Sequence, residues 1–244
     1  MDIDTYKIRR SELYFLSDLE YRKLKNKTIS FIRHGNSIGN SYKGTLTEQR
    51  LDKSLIDSPL TDLGREQASL LKGKLNINSY DMIISSPLSR AMETASIVFP
   101  NRKIKILNIL AEVTGGWGDV GLEFDKRLER NSDLKKIDWN LSEMNYDLGE
   151  KWQNNKLWSY IDEGGYKESR PYETDDSAQC RIREFWKWIL EIDYSNIVVV
   201  GHSKLFGRPQ NHYGILLNRA LKCGREFRNC EMVVAKFDNS GFSN

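Results

Sequence analysis

Three histidines occur in the 244 residues, and two of them stand where a run of strand-forming residues gives way to a polar loop. Thr28-Ile29-Ser30-Phe31-Ile32 leads into Arg33-His34-Gly35, and Ile197-Val198-Val199-Val200 leads into Gly201-His202-Ser203. Imidazole suits nucleophilic attack and proton transfer near neutral pH. Open α/β sheets gather their ligands at the carboxyl ends of parallel strands, so the two placements predict one shared active site. The loop after His34 carries Gly35, Asn36, Ser37, Gly39 and Asn40, whose backbone and side-chain donors suit an anion. A second basic position lies in Ser85-Ser86-Pro87-Leu88-Ser89-Arg90-Ala91, where Pro87 reads as the first helical residue and Arg90 falls in the first turn. A helix N-terminus offers unpaired N–H groups and partial positive charge, and a guanidinium there adds a planar fork for two phosphate oxygens. Arg33, Arg90, His34 and His202 together predict a pocket for a phosphoryl group. His212 has no motif around it, so packing or surface exposure is its expected role.

These side chains need a sheet to hold them, and strand and helix patterns alternate as a parallel sheet requires. Helices are predicted over 62–75 and 87–99, on either side of a strand at Asp81-Met82-Ile83-Ile84. In the second helix Leu88, Ala91, Met92, Ala95, Val98 and Phe99 recur at i, i+3, i+4 and form the buried face. Lys103–Leu107 reads as a strand. A helix at 177–191, with an apolar stripe of Ala178, Ile182, Phe185, Trp186 and Ile189, leads into a strand at 196–200, and Glu231–Phe237 supplies a late strand at an expected sheet edge. The fold class expected is α/β, a three-layer α/β/α sandwich with a mostly parallel central sheet.

Composition sets the outer bounds. With 39% hydrophobic and 29% charged residues the chain is long enough for one sizeable α/β domain and an insertion. A net charge of +3, with no dense Lys/Arg run interleaved with aromatics, gives no case for nucleic acid. Cys180, Cys223 and Cys230 are an odd number without metal-ligand spacing, so reduced thiols are expected rather than a disulfide framework. Residues 1–27 contain no signal-peptide core and no apolar span, and a cytoplasmic protein without membrane contact is expected. Within them Leu13, Phe15, Leu16, Leu19, Tyr21 and Leu24 predict an amphipathic helix packed on the domain, with Arg9, Arg10, Arg22 and Lys23 facing water.

Five segments, in order along the chain, resemble the histidine phosphatase superfamily that includes the cofactor-dependent phosphoglycerate mutases. They are Arg33 to Asn40, Leu60-Thr61-Asp62-Leu63-Gly64-Arg65-Glu66-Gln67-Ala68, Ser85 to Ala95, Leu110-Ala111-Glu112, and Gly201-His202-Ser203. Each alone is a common turn or helix sequence; the ordered set carries the resemblance, over 28 to about 112 and again from about 173 to 237. It implies that His34 is the nucleophile, that Arg33 and Arg90 clamp the phosphoryl charge, that His202 binds the transferring oxygens, and that Glu112 gives the proton to the departing oxygen. Arg33, Asn40, Arg90, His202 and Ser203 would bind substrate, Asn40 serving either as a phosphate ligand or as a cap of its own loop. No metal and no cofactor are implied.

The organisation expected is an extension over 1–27 and an α/β domain over 28–244, with a mostly helical cap inserted over about 113–174. That cap carries Trp117, Trp139, Trp152 and Trp158, glycine turns at Gly115-Gly116 and Gly164-Gly165, and a charged stretch from Asp125 to Lys136. Two readings stand for it: aromatics that stack on a sugar or base with Lys126, Arg127 or Arg130 meeting a second phosphate, or a small cap core with solvated charges. Phosphoglycerate mutases follow the catalytic acid with an Arg-His-Tyr-Gly-type stretch, whereas Val113-Thr114-Gly115-Gly116-Trp117 follows Glu112. After His202 the polar stretch Lys204 to Pro209 puts Lys204 or Arg208 either at a widened anionic site or in solvent. The leading expectation is therefore a metal-independent phosphatase acting on a small phosphorylated substrate through a phosphohistidine. A mutase-type phosphoryl transfer and a non-catalytic phosphate-binding protein are the alternatives, and the oligomeric state is left open.

Overall fold

In a computed structural model, which describes residues 3–122, 124–131, 134–135, 139–140, 166–167, 170–207, 214–216 and 226–237, a seven-stranded sheet runs through the middle of the chain. Its strands are β1 (Ile3–Ile8), β2 (Thr28–Arg33), β3 (Met82–Ser85), β4 (Ile104–Ile106), β5 (Trp139–Asn140), β8 (Asn196–Gly201) and β9 (Met232–Phe237), in the spatial order β1-β9-β2-β8-β3-β4-β5. Strands β2, β8, β3, β4 and β5 are parallel neighbours; β9 lies antiparallel to β2, and β1 runs parallel to β9. A separate two-stranded ladder pairs β6 (Tyr166–Lys167) with β7 (Arg170–Pro171).

Period-two alternation sends neighbouring residues of the central strands into opposite layers. Ile29 and Phe31 of β2, with Ile197 and Val199 of β8, pack beneath Phe185, Trp186 and Ile189 of α6 (Asp175–Glu191). Ile32 of β2, with Val198 and Val200 of β8, meets Ala68 and Leu71 of α3 (Asp62–Lys72) and Ala91, Ala95 and Val98 of α4 (Ser89–Val98). The result is the expected three-layer sandwich. All six residues predicted for the inner face of α4 are fully buried. The shorter helices are α1 (Asp18–Lys23), α2 (Leu46–Leu51), α5 (Phe124–Arg130) and α7 (Ser203–Phe206).

Three expectations are corrected. Residues 3–8, over which no element was expected, are a sheet strand, because Tyr6 and Ile8 alternate inward and pair along β9. Consequently β9 is an interior strand and not an edge. The helical signal of the N-terminal segment is confined to 18–23, where Ser17 and Glu20 form a capping box; Leu13, Leu16, Tyr21 and Leu24 are buried as predicted, but Leu19 is exposed. Helix α4 starts at Ser89, with Pro87 ahead of its N-cap. Of the predicted cap, α5, a short 3-10 turn at Trp117–Asp119, the two-residue β5 and the β6–β7 ladder are described. Trp152, Trp158, Gly164, Gly165, Arg208, His212 and Cys223 lie outside the described residues. Cys180 is exposed and Cys230 buried, both as free thiols.

Candidate active site

Strands β2, β8 and β3 end side by side, and the residues just past their ends meet. The β2–β8 ladder is prolonged by His34 N–H donating to Gly201 O at 2.9 Å, and Ser86 N–H donates to Val200 O at 2.9 Å. His34, His202 and Ser86 are thereby neighbours. The His34 loop is pressed against the start of α3: Gly35 and Asn36 meet Gly64 so closely that a Cβ on Gly64 would lie 2.0 Å from Asn36 O. That contact gives the Leu60–Ala68 motif its physical content. Thr61 caps the helix through Gly64 N–H at 3.1 Å, and Gln67 accepts from Asn36 N–H at 2.8 Å. Thr94 of α4 accepts from Gly35 N–H at 3.0 Å.

The His34 ring is held in one tautomer. Its Nδ1–H donates to Gly35 O at 2.7 Å, which leaves Nε2 as the lone-pair nitrogen, and Arg90 Nε donates to that nitrogen at 3.2 Å. Burial, and then the guanidiniums of Arg90 and Arg33, hold the His34 pKa well below the usual imidazole value, so the ring is neutral near pH 7. His202 is fully buried, its ring centroid 5.1 Å from that of His34. Its Nε2 shares a 2.7 Å hydrogen bond with Ser86 Oγ, which also accepts from Leu88 N–H at 3.3 Å. The other ring nitrogen, Nδ1, is buried and makes no hydrogen bond among the described residues. Burial followed by Arg90 and His34 depresses the His202 pKa as well. Arg33 is anchored by an Nη1–H donation to Phe227 O.

Glu112 is set opposite by a buried ion pair. Arg181 of α6 grips Glu173 with two bonds, at 2.8 and 2.6 Å, and donates from Nη1 to Ile109 O at 2.6 Å and Ala111 O at 2.9 Å. The Glu112 carboxyl accepts from Val113 N–H (2.9 Å) and Leu205 N–H (3.0 Å) at Oε1, and from Lys204 N–H (3.2 Å) at Oε2. Oε2, with one donor, is the oxygen with room for a proton. Burial raises the Glu112 pKa, Lys204 opposes that, and the charge of Asp119 adds to it. Asp119 accepts from Arg90 Nη2 at 3.2 Å, from Lys204 Nζ at 3.1 Å and from Gly115 N–H at 3.0 Å. Although burial resists its charge, Lys204 and Arg90 hold the Asp119 pKa below the ordinary carboxylate value.

A pocket of about 220 Å³ opens here, and Arg33, His34, Asn40, Arg90, Glu112 and Ser203 are on its wall. His202 backs His34 rather than lining the wall. The N-terminus of α4 is not open to an anion as expected: the buried carboxylate of Asp57 accepts from Ser89 N–H and Oγ–H, both at 2.8 Å. Asn40 Oδ1 accepts from Ser37 N–H at 3.3 Å and from Asn229 Nδ2 at 3.1 Å, so the carbonyl caps the loop and the amino end is what Asn40 offers a ligand. Lys204 reaches the wall but is paired with Asp119. Trp117 carries Lys53 over its ring at 4.9 Å and is not on the wall; Arg130 donates to Ile56 O and Asp57 O, and Lys126 is solvent-exposed. The sequence reading assigned no role to Asp57, Ser86, Asp119, Glu173, Arg181 or Asn229. Ser86 lies inside the Ser85–Ala95 motif, but the others carry no local signal. Among the described residues no group of three His, Cys, Asp or Glu side chains is placed to hold a metal ion, and no helix is long and apolar enough to cross a membrane.

Fold and site together define an α/β protein with paired histidines and arginines at the carboxyl ends of its central strands. Residues 29–156 match the family model of the histidine phosphatase superfamily, branch 1, and the chain belongs to that family of enzymes. A probable 2-carboxy-D-arabinitol-1-phosphatase of Arabidopsis thaliana is 26% identical over 219 residues, 86% of this chain; the chain spans 38% of that relative's length. Among solved structures, the alpha-ribazole phosphatase of Shigella flexneri shares the fold with a TM-score of 0.50 at 20% identity, over 87% of this chain and 91% of that one. The ecdysone phosphate phosphatase of Bombix mori, in complex with tungstate, has a TM-score of 0.50 at 16% identity, over 84% and 87% of the two chains.

Proposed function

We propose that the protein is a phosphatase that hydrolyses small phosphomonoesters through a phosphohistidine on His34, without a metal. The observation that carries this reading is the state of the His34 ring. It is neutral, its Nδ1–H is committed to Gly35 O, and its unprotonated Nε2, which accepts from Arg90 Nε, lies in the field of the Arg90 and Arg33 guanidiniums on the pocket wall. Nε2 attacks phosphorus, the N–P bond forms, and the P–O bond to the alcohol breaks in line. Arg33, Arg90 and the Asn40 amino group stabilise the equatorial oxygens, with His202 packed behind His34, while Glu112 Oε2 delivers its proton to the departing oxygen. Water then attacks the phosphohistidine, Glu112 takes up the water proton, the N–P bond breaks, and inorganic phosphate leaves. Every step uses this chain's own side chains, so activity is expected to survive exhaustive chelation.

The names of the relatives share the phosphomonoester and little else, which supports the reaction class rather than one substrate. The test is trapping. Rapid acid-free quenching after exposure to radiolabelled para-nitrophenyl phosphate is expected to leave an acid-labile label on the wild type and none on His34→Ala. Label that persists in His34→Ala, or turnover that stops with chelator and returns with a divalent ion, would overturn the reading.

A further inference from the structure

The pocket contains a carboxylate that a phosphate site would seem to have no use for. Asp119 lies on the wall, its side chain 16% exposed, between Arg90 Nη2 (3.2 Å) and Lys204 Nζ (3.1 Å). Lys204 begins at the proton donor, since its own N–H binds Glu112 Oε2. Its ammonium also donates to the carbonyl of Val113, the residue after Glu112, at 3.4 Å, and so stands at the proton-donor end of the pocket, a natural partner for a carboxylate or second phosphate on the leaving group. Asp119 has taken that place. It is held there by the turn it belongs to: Asp119 N–H donates to Gly116 O at 3.1 Å, Gly115 N–H binds Asp119 Oδ2 at 3.0 Å, and Gly116 packs so tightly on Arg50 of α2 that a Cβ would come within 2.7 Å of Arg50 Cα. Glu226, also on the wall, adds a further carboxylate, and Arg50 a further cation.

Resting on the phosphatase reading above, we propose that Asp119 selects leaving groups by charge: by neutralising Lys204 and facing the leaving-group end of the pocket, it admits phosphomonoesters of uncharged alcohols and disfavours those bearing a carboxylate or second phosphate near the scissile bond. The phosphoryl group itself keeps Arg33, whose charge acts on His34, and the Nε edge of Arg90, which donates to His34 Nε2 rather than facing the leaving group. A unit charge added or removed at this range in a partly dehydrated pocket changes binding by about tenfold or more.

Glycerol 3-phosphate and 3-phosphoglycerate test the idea, because they differ chiefly in a hydroxymethyl group against a carboxylate. Their inhibition constants are measured against para-nitrophenyl phosphate hydrolysis by the full chain. Wild type is expected to bind glycerol 3-phosphate more tightly. Asp119→Asn, which frees Lys204, is expected to shift the ratio of the two constants about tenfold toward the acid. Lys204→Met, which leaves Asp119 without its ammonium, is expected to shift it the other way, and it decides alone if thermal melting shows that Asp119→Asn does not fold. A wild type that prefers the acid, a ratio unmoved in folded variants, or both variants shifting in one direction would overturn the proposal. Failure of the underlying reading has a different signature, namely para-nitrophenyl phosphate turnover that is absent or survives His34→Ala, and it takes this proposal with it.

Discussion

A neutral imidazole in the field of two guanidiniums makes the chemistry at the residue scale depend on pH from both sides. In the proposed reaction His34 attacks only when unprotonated, and burial with Arg90 and Arg33 puts its protonation well below 6.5. Glu112 donates only when protonated, and burial together with Asp119 carries its proton above the ordinary carboxylate value of 4.5, against Lys204 and Arg90. On an alkyl phosphate, kcat/KM is therefore expected to fall as pH rises through the raised Glu112 pKa. Para-nitrophenyl phosphate has a leaving group that needs no proton, and its alkaline limb is expected to flatten. An alkyl phosphate profile level through the alkaline range would remove Glu112 from the role of acid. Arg90→Lys tests the other component. An ammonium cannot donate at once to His34 Nε2, Gly118 O and a phosphoryl oxygen, so kcat/KM is expected to drop about a hundredfold or more with an unchanged melting temperature. A near-normal rate would place Arg90 outside the reaction.

At the scale of elements, the Glu173–Arg181 pair ties α6 to the segment that presents Glu112. Both side chains are completely buried, and Glu173 is bound to Thr114 from either side, its N–H donating to Thr114 O at 3.0 Å. Glu173→Ala strands a guanidinium in the core and is expected to cost about 3–5 kcal/mol in urea unfolding. The double variant Glu173→Leu, Arg181→Met removes both charges, so most of that stability is expected to return. Activity is not, because the carbonyls of Ile109 and Ala111 have lost the donors that aim Glu112. Full recovery of kcat in the double variant would reduce the pair to a stability device.

Over the whole molecule, the sheet is completed from both ends of the sequence. β1 covers β9, and Tyr6 and Ile8 bury their side chains beside Phe237 and Tyr21 in the layer under α6. Removing residues 1–8 takes away two buried side chains, worth about 1.5–3 kcal/mol each, and turns β9 into an open edge ready to pair with another chain. A lower urea midpoint and concentration-dependent aggregation are expected, measured by denaturation and light scattering. Turnover per folded molecule should persist, since none of residues 3–8 lines the pocket. Loss of turnover without loss of folding would mean that β1 shapes the site.

The sequence by itself determined what repeats locally or sits next to its partner in the chain. The strand-forming runs at 28–33 and 196–201, the helical stripe of α4 and the histidines just past two strands are short-range patterns, so the layers and the phosphoryl end of the pocket were legible. Only the tertiary structure decided what depends on distant segments meeting. The run 3–8 has too few apolar residues to declare itself a strand until β9 supplies a partner more than two hundred residues away. Asp57 looks like a loop acid until the start of α4 arrives to be capped. Asp119 looks like one charge in a glycine-rich turn, and its meaning lies in the sites of Arg90 and Lys204, which come from two other strand ends. Charges act through space at a few ångströms, and chain order carries no record of that distance.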